Sequence, residues 1–215
     1  MTYRTESMRR EYHLQELVEG AVTDDPLRQF RAWFDDATAS DTLEPNAMVL
    51  ATVDAASRPS QRTVLLKQID EAGFVFFTNY QSRKGREIAE NPQVALLFFW
   101  PNLERQLRIS GVARHLDAPA SDAYYAQRPR GSQIGAMASP QSQVVPDRQW
   151  LAERFESVTA DLGDESVAQR PDHWGGVIVT PDEYEFWQGR PNRLHDRLRY
   201  RLDDDGAWVI ERLAP

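Results

Sequence analysis

The chain has 215 residues, 41% of them hydrophobic and 27% charged, with no cysteine and a formal net charge of −8. A length of this order fits one or two domains with a core that needs no covalent staples. Without cysteine there are no disulfides, zinc thiolates, iron–sulfur clusters or thiol nucleophiles, and the acidic balance argues against a general nucleic-acid or membrane-surface binder. The longest apolar run, residues 94–100, is strand-sized rather than membrane-sized, and residues 1–12 are too polar for a secretory signal, so a soluble, cytoplasmic protein is expected. Of the 25 basic residues only Lys67 and Lys84 are lysines, and both fall in dense segments that read as functional, Arg62–Lys67 and 82–84. Local basic clusters on an acidic protein suggest pockets for small anions.

In chain order, Asp25-Pro26 marks the start of a helix, with Asp25 as N-cap and Pro26 in the first turn. Leu27, Phe30, Phe34 and Ala37 follow at helical spacing, with Trp33 beside them, which reads as a stripe facing the core. From Ala47 the pattern turns to β: strands are predicted at Ala47–Val53, 61–69 and Gly73–Asn79, with a turn at 54–59. A short helix at 82–90 is closed by Asn91-Pro92, and strands follow at Gln93–Trp100 and 104–115. Helices near 119–127 and 147–161 precede strands at 175–180, 183–188, 197–202 and Trp208–Arg212, with Asp203-Asp204-Asp205-Gly206 as a hairpin turn rather than a calcium loop. Close-set strands without regular crossover helices predict an α+β fold around an antiparallel β-barrel.

Nucleotide-loop, nucleophile-elbow and zincin motifs are missing, and the histidines at 13, 115, 173 and 195 lack paired ligand spacing, so no metal is expected. Four segments stand out. In Thr78-Asn79-Tyr80-Gln81-Ser82-Arg83-Lys84 a strand gives way to a helix whose free amides suit an anion, and bound phosphate would offset two cations in a first turn that disfavours them. In Arg62–Lys67 strict alternation would send the two cations to opposite faces. Trp187-Gln188-Gly189 leads to Arg193-Leu194-His195-Asp196-Arg197, where an extended backbone would place Arg193, His195 and Arg197 on one face. Tyr124 through Ser132 gathers phenol, guanidinium and hydroxyl donors at a helix end.

Together these segments resemble the pyridoxine/pyridoxamine 5′-phosphate oxidase family. The likeness runs from Arg9-Arg10-Glu11-Tyr12 through Arg62–Lys67, Phe77-Thr78-Asn79, Ser82-Arg83-Lys84, Leu103-Glu104-Arg105-Gln106, Arg128-Pro129-Arg130, Ser132-Gln133-Ile134-Gly135-Ala136, Gln141-Ser142, Phe186-Trp187-Gln188-Gly189 and Arg193–Arg197 to Arg212-Leu213-Ala214-Pro215. The resemblance implies an FMN-binding split barrel with peripheral helices. A single domain would span 25–215, preceded by a segment, 1–24, that closes over substrate. It implies a homodimer with FMN at the subunit interface. That enzyme would oxidise pyridoxine 5′-phosphate and pyridoxamine 5′-phosphate to pyridoxal 5′-phosphate in vitamin B6 supply, with O2 as acceptor. On this likeness Arg62, Thr63, Val64, Leu65, Leu66 and Lys67 line the flavin with Phe77, Thr78, Ser82, Gln106, Gln141, Ser142, Trp187 and Arg197, while Arg83 and Lys84 hold its phosphate. Lys67, Tyr124, Arg128 and Ser132 take the substrate phosphate. Arg193 and His195 act at the pyridine ring as the catalytic pair, and Arg9 and Tyr12 close over it. Phe77 stands where the family has tyrosine and Met137 where tryptophan is familiar. A phenazine-tailoring flavin oxidase would keep the flavin segments but not the substrate-phosphate set, and a carrier or sensor would not need Arg193 and His195.

Overall fold

A computed structural model of the chain describes residues 4–5, 11–163 and 168–215. Its elements are α1 (Pro26–Ala39), β1 (Ala47–Val53), β2 (Pro59–Leu65), β3 (Gln68–Asp70), β4 (Gly73–Asn79), α2 (Arg83–Glu90), β5 (Gln93–Trp100), β6 (Arg105–His115), α3 (Ala118–Gln127), α4 (Arg130–Ala138), α5 (Arg148–Leu162), β7 (Trp174–Gln188), β8 (Asp196–Leu202) and β9 (Trp208–Arg212). Single 3₁₀ turns occur at Glu19–Ala21, Pro101–Leu103 and Pro191–Arg193. Among the described residues nine strands join one sheet in the order β2-β1-β5-β6-β7-β4-β3, with β8 and β9 added at β7. The α+β class predicted from strand spacing is the observed one, and no described helix is long and apolar enough to cross a membrane.

Three expectations change. The strand predicted over 61–69 is two strands, because the chain leaves the β2 ladder after Leu65 and re-enters at Gln68, with the Lys67 amide already donating to the Val75 carbonyl at 2.8 Å. The segments 175–180 and 183–188 are one strand: β7 pairs with β4 through residue 179 and with β8 from residue 183, so Pro181, which lacks an amide hydrogen, lies between those two ladders. Helix α4 was not anticipated, since Gly131, Ser132 and Gly135 are weak helix formers and its N-cap, Pro129, makes no side-chain cap.

The chain divides into two compact units. The first gathers Met1–Met48, Leu96–Ser110 and Pro181–Pro215. Here Asp25 caps α1 by accepting from the Leu27 amide at 2.8 Å, and Phe30, Trp33 and Ala37 are buried while Leu27 and Phe34 are half-buried at the edge of the same stripe. The aromatic core closes through Phe30–Phe98 at 5.4 Å, Trp33–Phe186 at 5.0 Å and Phe186–Tyr200 at 5.4 Å between centroids. Burying such a side chain contributes about 2–3 kcal/mol. The β8–β9 hairpin turns as expected, with the Asp203 carboxylate accepting from the amides of Asp205 and Ala207.

The second unit comprises Val49–Ala95 and Gly111–Thr180. Its β3–β4–β7 ladder is antiparallel, with Phe77 opposite Gly176 and Thr78 opposite Gly175. From β4 the chain turns tightly into α2. A Cβ at Gly85 would lie 2.2 Å from the Tyr80 carbonyl oxygen, so only glycine admits that turn.

Candidate active site

The β4–α2 junction builds a cationic cradle. Ser82 is the N-cap of α2, as its position in the sequence suggested, and accepts from the Gly85 amide at 3.3 Å. Lys84 folds back instead of extending into solvent. Its ammonium donates to Thr78 Oγ1 at 2.9 Å, Gln141 Oε1 at 3.1 Å and Ser82 Oγ at 3.3 Å. All three partners are neutral, and among the described residues no carboxylate pairs with it. Burial, and secondly the charge of Arg62, lower its pKa to about 8. A buried ammonium whose partners are all neutral oxygens favours the approach of an anion.

Glu87, one turn further along α2, organises the other two cations. One of its carboxylate oxygens accepts from Arg83 Nε at 2.8 Å, and the other accepts from Thr52 Oγ1 at 2.5 Å, Ser60 Oγ at 2.6 Å and Arg62 Nη2 at 3.3 Å. Burial pushes its pKa up, but the hydrogen bonds from Ser60, Thr52 and Arg83 outweigh that and hold it at about 2. Arg62 spends its remaining terminal donors on Leu50 O, Thr52 Oγ1 and Ser60 Oγ. Three cations against one carboxylate leave the cradle at about +2, the complement of a phosphate dianion.

Both Arg62 and Lys84 open onto a cleft of about 630 Å³ lined also by Thr63, Val64, Leu65, Lys67, Phe77, Thr78, Arg83, Tyr124, Arg128, Gln141, Ser142 and Trp174. That volume suits a small organic ligand. Arg62 and Lys67 were expected on opposite faces of one strand. The break after Leu65 releases Lys67 from the β2 alternation, and both side chains meet the same cleft. In the same lining, Phe77 stacks on Tyr124 at 3.7 Å and lies 5.4 Å from Trp174, in nearly parallel planes. The Arg128 guanidinium sits 4.4 Å from the Trp174 ring centre. Among the described residues its Nη1 is the one buried side-chain nitrogen or oxygen without a hydrogen-bond partner, and burial lowers its pKa.

Three residues predicted for this region lie apart from the lining. Leu66 is buried, Ser82 acts from behind the cradle, and Ser132 is exposed in the first turn of α4. Met137 packs with Phe77 and Tyr124 against the Tyr125–Trp174 cluster. Glu87, Ser60 and Trp174 were missed. The spacing of Arg83 and Glu87, four apart at a helix start, was a readable signal for the first.

The first unit holds the remaining predicted residues. Tyr12, Trp187 and His195 form a cluster, with centroids 5.8 Å apart for Tyr12–Trp187, 5.7 Å for Tyr12–His195 and 4.6 Å for Trp187–His195. Gly189 is required beneath it, because a Cβ there would lie 2.6 Å from Tyr12 Cγ. His195 Nδ1 faces the Arg190 amide at 3.1 Å and accepts its hydrogen, which leaves the neutral ring's proton on Nε2. Burial, then the Arg193 charge, lower the His195 pKa. Arg193, His195 and Arg197 do not share an extended face. Asn192 and Arg193 have φ of 57° and 62°, a left-handed pair that turns the chain before β8 begins at Asp196. Arg193 is exposed, and Arg197 binds Glu185 at 2.8 Å. The ribbon around this cluster is fastened by Glu104 Oε2, which accepts from the His13 and Leu14 amides, and by Asp196, which accepts from the Leu17 amide. Gln106 is half-buried in β6. Arg9 lies outside the described residues.

Fold and cleft define an α+β split-barrel protein with a cation-lined cleft. Two family models match the chain, one described as pyridoxamine 5′-phosphate oxidase over residues 34–160 and one as the pyridoxine 5′-phosphate oxidase C-terminal dimerisation region over 174–215. A pyridoxine/pyridoxamine 5′-phosphate oxidase of Salinibacter ruber is 56% identical over 97% of both chains, and that of Pseudomonas paraeruginosa is 54% identical over the whole of both. A solved structure of PhzG from Burkholderia lata, in complex with tetrahydrophenazine-1-carboxylic acid, superposes with a TM-score of 0.86 at 30% identity, covering 94% of this chain and 99% of that one. The chain belongs to the pyridoxamine 5′-phosphate oxidase family, a family of oxidoreductases.

Proposed function

We propose that the protein is an FMN-dependent oxidase that converts pyridoxine 5′-phosphate and pyridoxamine 5′-phosphate to pyridoxal 5′-phosphate. One observation carries this reading: a single cleft is lined by five cations, of which Arg62 and Arg83 are tied to Glu87 and Lys84 to Thr78 and Gln141, while Arg128 is held over Trp174. One phosphorylated cofactor and one phosphorylated substrate account for them. The residues fit FMN, since a buried ammonium with only neutral partners, two further guanidiniums and a helix N-terminus together suit a phosphate dianion.

When bound, FMN supplies the acceptor for the hydride leaving substrate C4′ and passes the electrons to O2, giving H2O2. In this reading Arg83 and Lys84 hold the cofactor phosphate, and Thr78, Ser82 and Gln141 keep the Lys84 ammonium aimed at it. Arg62 to Leu66, Phe77, Ser142, Gln106, Trp187 and Arg197 complete the flavin site within a homodimer. Lys67, Tyr124, Arg128 and Ser132 take the substrate phosphate. Arg193 shapes the substrate face, and His195, with its proton on Nε2, donates a hydrogen bond to a ring substituent. In the same reading Tyr12 closes over the ring. Arg128 and Lys67 in the lining favour a phosphorylated substrate over a phenazine precursor.

The test is aldehyde and peroxide formation by the purified FMN-loaded protein, with pyridoxine 5′-phosphate and pyridoxine compared. Turnover of the phosphorylated alcohol with at least about a hundredfold preference over the unphosphorylated one is expected for a site built around the phosphate. Equal rates, or none with either, would reject the substrate assignment.

A further inference from the structure

We infer that Trp174 is the positioning residue for Arg128, and that its indole face, rather than a carboxylate, sets the affinity for the substrate phosphate. The inference deepens the proposed function and rests on its assignment of Arg128 to that phosphate.

Several arginines of this unit are held by carboxylates. Arg62 and Arg83 are fixed by Glu87, and Arg170 by Asp122 at 2.6 Å. A carboxylate orients a guanidinium but consumes donors and cancels its charge. Arg128 is held differently. Its backbone is fixed at the end of α3, where its amide donates to the Tyr125 carbonyl at 3.1 Å. Its guanidinium lies over the Trp174 ring at 4.4 Å, with Tyr125 further away at 5.9 Å. Among the described residues it has no carboxylate partner, and its buried Nη1 has no partner at all. The ring therefore supplies orientation through its face while the full charge and the N–H fork stay available for phosphate oxygens.

Trp174 is itself rigid enough for this task. It opens β7 opposite Asn79, its amide donates to the Pro171 carbonyl at 2.9 Å, and its carbonyl accepts from Arg170 Nη1 at 2.6 Å. The side chain is 6% exposed, with the Tyr125 ring edge-on at 5.2 Å.

The experiment compares Trp174→Leu, Trp174→Phe and Arg128→Ala in the FMN-loaded enzyme. It measures kcat and KM for pyridoxine 5′-phosphate, the inhibition constant for inorganic phosphate, and bound FMN. Trp174→Leu should raise KM and the phosphate inhibition constant by about tenfold, the loss of a desolvated guanidinium–ring contact, while kcat changes by less than about twofold. Trp174→Phe retains a ring face and should recover most of that loss. Unchanged KM and phosphate inhibition in Trp174→Leu overturn the inference, as does an equal rise of KM in both Trp174 variants accompanied by a fall in kcat. Should the Leu variant fail to retain FMN, Trp174→Phe decides: about a threefold rise in both constants supports the inference and no change overturns it. Arg128→Ala separates the two readings. If it leaves both constants unaltered, the phosphate assignment fails. If it raises them while Trp174→Leu does not, only the positioning role fails.

Discussion

Replacing Lys84 by methionine should make the apoprotein more stable and the cofactor weaker. The Lys84 ammonium is buried against neutral oxygens, and its pKa falls from 10.5 to about 8. A displacement of that size corresponds to about 3 kcal/mol of unfavourable burial of the charged form at neutral pH. The folded pKa lies below the unfolded one, so between them the unfolded chain binds more protons. Apoprotein stability therefore carries the full penalty below pH 8 and rises with pH from about 8 to 10.5. Allowing for the hydrogen bonds lost, Lys84→Met should raise the unfolding free energy of the apoprotein by about 1–3 kcal/mol at pH 7 and remove that rise. Binding FMN reverses the sign. The phosphate needs the charged lysine, so above pH 8 binding must take up a proton, and the wild-type Kd should increase about tenfold between pH 7 and pH 9. In Lys84→Met the Kd should be about ten- to a hundredfold weaker at pH 7, with that pH dependence gone. Urea unfolding of the apoprotein and fluorescence titration with FMN, each at both pH values, give four numbers for each of the two proteins. A wild-type Kd that is the same at pH 7 and 9, or a variant that keeps the slope, would refute the assignment of Lys84 to the phosphate.

Glu87→Gln removes the carboxylate that ties Arg83 to Arg62. Its pKa of about 2 lies below the ordinary 4.5, so its stabilising contribution is present above that ordinary value and lost as pH falls towards 2. The variant should be less stable than wild type by about 3 kcal/mol at pH 7 and converge with it near pH 2, as read by denaturant unfolding. Arg193→Ala should depress turnover far more than FMN retention, and equal loss of both would reject its place at the substrate ring. Gly189→Ala drives a methyl into Tyr12 and should raise KM without releasing flavin, which a titration of bound FMN alongside steady-state kinetics checks.

Much of the cradle was legible because it is local. Ser82, Arg83 and Lys84 lie within one turn, and an N-cap serine after a strand announces where the helix amides point. Gln141, which reaches Lys84 across 57 positions, was named only through the resemblance, and Glu87 with Ser60, 27 positions apart, was not named at all. Alternation failed at Lys67 because a ladder break resets the period without changing composition. It failed again at Arg193, where two consecutive left-handed residues replaced the extended backbone that the one-face reading required. Trp174 went unnoticed because a tryptophan beside two glycines reads as the start of a strand, and only its contact with Arg128 gives it a further role.

The most direct test is anaerobic mixing of the FMN-loaded enzyme with pyridoxine 5′-phosphate, following the visible flavin band. The account predicts that the band bleaches, then recovers on admission of air as pyridoxal 5′-phosphate and peroxide form. A band that stays oxidised while the phosphorylated substrate binds would contradict it, and would make the protein a carrier or sensor rather than an oxidase.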